Sequence, residues 1–63
     1  MNLDYWISHA MITQGGSFVE SLGHAYCHAD PDNKQKLRTA FPDIFDKYTT
    51  IATELKQQDD LKP

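Results

Sequence analysis

The chain has 63 residues, of which 40% are hydrophobic and 11% aromatic, and its nine acidic and six basic side chains give a formal charge of −3. That length leaves room for one domain, close to the lower limit at which a single hydrophobic core holds a chain folded without disulfides, metal or a partner. The composition excludes a disordered polymer, and the charge is too small for a DNA mimic and of the wrong sign for a protein that coats nucleic acid.

The first predicted element covers 3–13, where Leu3, Trp6, Ile7, Ala10 and Met11 recur at helical spacing behind an Asn2 cap. Tyr5 and Ile12 fall on the other side, so this helix is apolar around much of its circumference, as a segment clamped between neighbours or forming an interface would be. Gly15-Gly16 ends it, and paired glycines predict a left-handed stop and a tight reversal.

Ser17-Phe18-Val19-Glu20 has the spacing of a capping box and predicts the start of a second helix over 17–29. Its apolar line is Phe18, Leu22, Ala25 and Ala29, with Val19 and Tyr26 on its flank. An interior glycine costs about 1 kcal/mol relative to alanine, so Gly23 predicts a close approach by another backbone.

Asp30-Pro31 supplies an N-cap followed by proline at the first helical position, and a third helix is predicted over 31–41. It is the most polar of the set, with Leu37, Ala40 and Phe41 as its buried contributors. Pro42 bends the chain at Phe41 and opens a fourth helix over 42–57, whose stripe is Ile44, Phe45, Tyr48, Ile51, Ala52 and Leu55. The polar end, 58–63, has no periodicity and is expected to fray. The expected architecture is therefore all-α: a bundle of three to four short helices in one domain, 1–57, with a flexible tail.

No apolar run approaches the roughly 20 residues that span a bilayer, so no membrane role is expected. Cys27 is the single cysteine and cannot form an internal disulfide, and no leader-like N-terminus is evident, so the expected setting is cytoplasmic.

His24, Cys27 and His28 share a helical face and match zinc chemistry in type, with His9 as a fourth candidate. Structural zinc draws on two paired-ligand segments, and only one is present, so surface histidines and a free thiol are the stronger reading and no metal or other cofactor is expected. Pairing Cys27 with a histidine as a nucleophile requires a water-shielded pocket that a domain this small lacks volume for, and no enzymatic activity is expected. Free N–H groups at Gly15-Gly16-Ser17 match anion binding, but a connecting turn is the stronger reading.

Two surfaces remain as candidates. The excess of apolar and aromatic groups on the first helix points to a protein partner or self-association through Tyr5, His9 and Ile12. The alternative is nucleic-acid association through Lys34, Lys36 and Arg38, although the Asp30-Pro31 junction lacks the glycine-containing turn of a helix-turn-helix.

The segments Tyr5-Trp6-Ile7-Ser8-His9-Ala10, Gly15-Gly16-Ser17-Phe18-Val19, Leu22-Gly23, Ala29-Asp30 and Ala40-Phe41-Pro42 resemble a group of short, mostly uncharacterised phage and prophage proteins. The resemblance implies a mobile-element origin and a bacterial host cytoplasm, with no activity or catalytic residue to carry over. Many such proteins dock on a host protein and alter it, an analogy that favours an interaction role.

Overall fold

A computed structural model describes residues 2–61, which form four helices: α1 (Leu3–Gln14), α2 (Ser17–His28), α3 (Pro31–Ala40) and α4 (Pro42–Asp60). The bundle is all-α, as the periodicity predicts. Asn2 caps α1 by accepting from the Tyr5 backbone N–H at 3.1 Å, and Asp30 caps α3 by accepting from that of Asn33 at 2.8 Å. Pro31 and Pro42 both occupy the first helical turn, where a missing N–H costs nothing. Phe41, at φ −130° and ψ 60°, makes the bend that separates α3 from α4.

α4 runs to Asp60, past the predicted end at 57; Lys56 donates to Asp60 at 3.0 Å across its exposed last turn. Lys62 and Pro63 of the expected tail, and Met1, lie outside the described residues.

Two local expectations are corrected. Ser17-Phe18-Val19-Glu20 does not form a capping box: Ser17 is already helical, Gly16 is the N-cap, and no side chain caps α2. The glycines at the first turn are not left-handed, since Gly15 sits at φ −83° and Gly16 at φ −73°. Gly15 is required for space instead, because a Cβ there would lie 2.6 Å from the Met11 carbonyl oxygen and 2.5 Å from Val19 Cγ1.

α1 is the clamped element, packed between α2 and α4. The buried core is Ile7, Ala10 and Met11 from α1, Leu22 and Tyr26 from α2, and Phe45, Tyr48 and Ala52 from α4. At Gly23 α1 and α2 approach closely: an added Cβ would meet Met11 Cβ at 2.8 Å and the Ser8 carbonyl oxygen at 3.2 Å. Ser8 is buried as well, its hydroxyl donating back to the Asp4 and Tyr5 carbonyls.

The stripe predicted for α2 is rotated by about one residue from the one observed, a turn of about 100° around the helix. Val19, Leu22, Gly23 and Tyr26 face inward, while Phe18 is 59% exposed and Ala25 lies on the surface. α3 contributes no buried residue, and of its predicted contributors Leu37 and Phe41 are half-buried whereas Ala40 is exposed.

Candidate functional site

Two features stand out on the α3 side of the molecule, a polar cluster beneath the helix and an apolar groove beside it.

The cluster centres on Tyr26, which is fully buried and stacks at a tilt on Phe45 with ring centroids 4.9 Å apart. Its hydroxyl donates to Asp4 Oδ1 at 2.7 Å and accepts from Arg38 Nη1. Lys34 Nζ lies 3.4 Å from Asp4 Oδ2, and Arg38 Nη1 lies 3.8 Å from Asp4 Oδ1. Both cations also sit over the Tyr26 ring, at 5.4 Å for Lys34 and 5.8 Å for Arg38, within cation–π range. The Tyr26 hydrogen bond holds the Asp4 carboxyl below its ordinary 3.8; partial burial opposes this, and Lys34 and Arg38 add to it. Burial pushes the Tyr26 hydroxyl above its ordinary 10.0, helped by the bond to Asp4 and its charge and opposed by Arg38.

Two members of the predicted basic face are thereby turned inward. Lys34 and Arg38 share a face, as their spacing requires, but that face meets Asp4 and Tyr26. Lys36 is separated from them and, among the described residues, has neither a carboxylate nor a ring against it. Asp4 and Tyr26 were not among the sequence-derived site residues. The available signal was the Lys34/Arg38 pair itself, whose charge called for an acidic partner from another element.

The groove runs between the C-terminal half of α2 and α3, shallow and open to solvent. Ala25, Ala29, Leu37 and Ala40 supply its apolar surface, with His28, Asn33 and Lys36 among them. Toward the other end of the same two helices, Phe18 and Phe41 meet edge to face at 5.8 Å. Of the stripe expected to enter the core, Phe18, Leu22, Ala25 and Ala29, Leu22 is buried, Ala25 and Ala29 line this groove, and Phe18 is exposed near the start of α2.

The predicted partner surface on α1 divides. The Tyr5 ring stacks on His9 at 5.8 Å, and Trp6 meets both edge-on at 5.2 and 5.7 Å, forming an aromatic ridge from which Tyr5 is 41% exposed. Ile12 is half-buried near Gly23, where its Cγ1 would lie 3.1 Å from an added Cβ.

His24, Cys27 and His28 are all exposed on α2. Among the described residues no three His, Cys, Asp or Glu side chains are grouped so as to hold a metal ion, and no helix is long and apolar enough to cross a membrane. Fold and site define a small four-helix protein with an interhelical polar cluster and an open apolar groove. No family model, curated protein or solved structure matches the chain.

Proposed function

We propose that this protein is a small helical protein–protein interaction module that takes a partner helix into the groove between α2 and α3, a second copy of the chain being the occupant in isolation. The observation that carries this reading is the apolar lining of the groove, Ala25 and Ala29 beside Leu37 and Ala40 of α3, with Phe18 59% exposed on the same helix as Ala25. Three of these five are alanines, so another helix can approach closely, and exposed aromatic groups at the rim are the residue type that anchors interfaces. A small core that leaves apolar surface uncovered also gains stability from association. The aromatic ridge of Tyr5 and His9 on α1 is a second contact area.

The resemblance to short phage proteins supports a host or phage protein as the occupant in a bacterial cytoplasm, which the module would modulate by docking. The depressions beside α3 are open to solvent, a shape that suits a docked helix. The engagement of Lys34 and Arg38 with Asp4 weighs against the nucleic-acid alternative, which is left to lean on Lys36.

Sedimentation of the full chain over increasing concentration tests the proposal. A dimer that grows with concentration and is lost in Ala25→Glu supports it. A monomer persisting to about 1 mM, the range of association near −4 kcal/mol, overturns the second copy as occupant.

A further inference from the structure

We infer that α3 is a releasable strap, held shut on Tyr26 through Asp4, that opens as a unit while the rest of the bundle stays folded. The buried core draws on α1, α2 and α4 and includes no residue of α3. The buried core is therefore built by three helices, with α3 laid over one side of it. α3 is bounded on both sides by non-helical joints, Ala29 and Asp30 in extended conformation before it and Phe41 at φ −130° after it. The joints are tied to the neighbouring helices by one backbone hydrogen bond each, Ala29 N–H to the Tyr26 carbonyl and Phe45 N–H to the Phe41 carbonyl, so rotation or unravelling between them leaves the remaining backbone bonds of α2 and α4 in place.

The ties that close the strap converge on one place. Lys34 and Arg38 reach the same carboxylate, Asp4, and cover the same ring, Tyr26, so losing the carboxylate loosens both together. Among the described residues Leu37 and Phe41 are the apolar groups at this helix and its C-terminal joint that pack against the core, and each is half-buried. The two ion pairs have partly exposed partners, which keeps them individually weak. Regions with few buried apolar contacts open at lower free energy than the global transition, and α3 meets that description while α1 does not. Opening bares the Tyr26 ring, with Phe45 behind it and the Asp4 carboxylate at its edge, a surface that the closed state hides.

Native-state amide hydrogen exchange on the full chain, measured across low urea concentrations, tests this. The amides of 34–40 are expected to exchange at least about tenfold faster than those of 45–52, with a weaker urea dependence that marks a sub-global opening. Asp4→Asn should speed exchange at 34–40 by about a further tenfold. Should that variant not fold, the double variant Lys34→Gln/Arg38→Gln removes the same ties from the α3 side and should have the same effect. Equal protection and equal urea dependence in α3 and α4 would overturn the strap. Unchanged exchange at 34–40 in the folded variant would overturn the role of Asp4 in closing it.

Discussion

The Tyr26 hydroxyl donates to the Asp4 carboxylate at 2.7 Å, joining α2 to the first turn of α1 across 22 residues of sequence. Because Lys34 and Arg38 converge on the same two groups, this contact sets the position of α3 as well. Tyr26→Phe keeps the ring against Phe45 and removes only the hydroxyl. It should lower stability by about 1–2 kcal/mol, toward the lower end because Asp4 remains partly solvated, read as a lower urea midpoint at unchanged slope. An unchanged midpoint would show that the hydroxyl contributes nothing net.

The same pair defines a pH window. The folded-state Asp4 carboxyl is held below its ordinary 3.8, so the unfolded chain binds its proton more readily, and the stability it contributes is present above that value and lost as pH falls through the folded value. Tyr26 is raised above its ordinary 10.0, so its contribution is present below that value and lost as pH rises through the folded one. Thermal midpoints across pH should therefore drop at both extremes, and Asp4→Asn should flatten the acid limb.

Glycines 15, 16 and 23 should respond differently to substitution. Gly23→Ala gains about 1 kcal/mol of helix propensity but forces a Cβ to 2.8 Å from Met11 Cβ at the α1–α2 crossing. Overpacking of about 1–3 kcal/mol should win, lowering the thermal midpoint. Gly15→Ala should likewise destabilise, since the Met11 carbonyl in its way is backbone. Gly16 has open space around it and no side chain capping α2, so Gly16→Asp should add a few tenths to about 1 kcal/mol. A destabilised Gly16→Asp would contradict the assignment of Gly16 as N-cap.

Removing the α3 cap tests how independent that helix is. Asp30→Ala deletes the acceptor for the Asn33 N–H and should cost α3 about 1 kcal/mol. Chemical shifts of 31–40 should move toward coil values while those of α4 hold. A uniform change along the chain would mean that α3 is fully coupled to the bundle.

Much of the fold was legible locally. The breaks at Gly15-Gly16, Asp30-Pro31 and Phe41-Pro42, the caps at Asn2 and Asp30, and the α4 stripe all depend on a residue's own conformational preference or on neighbours within one turn, so the sequence determined them by itself. Tertiary structure decided which face of α2 turned inward. That helix carries apolar residues on adjoining faces, and it was the close approach of α1 at Gly23 that buried Leu22 and Tyr26 and left Phe18 and Ala25 outside. It also decided that Lys34 and Arg38 meet Asp4, an attraction that acts through space and leaves no periodic trace along the chain.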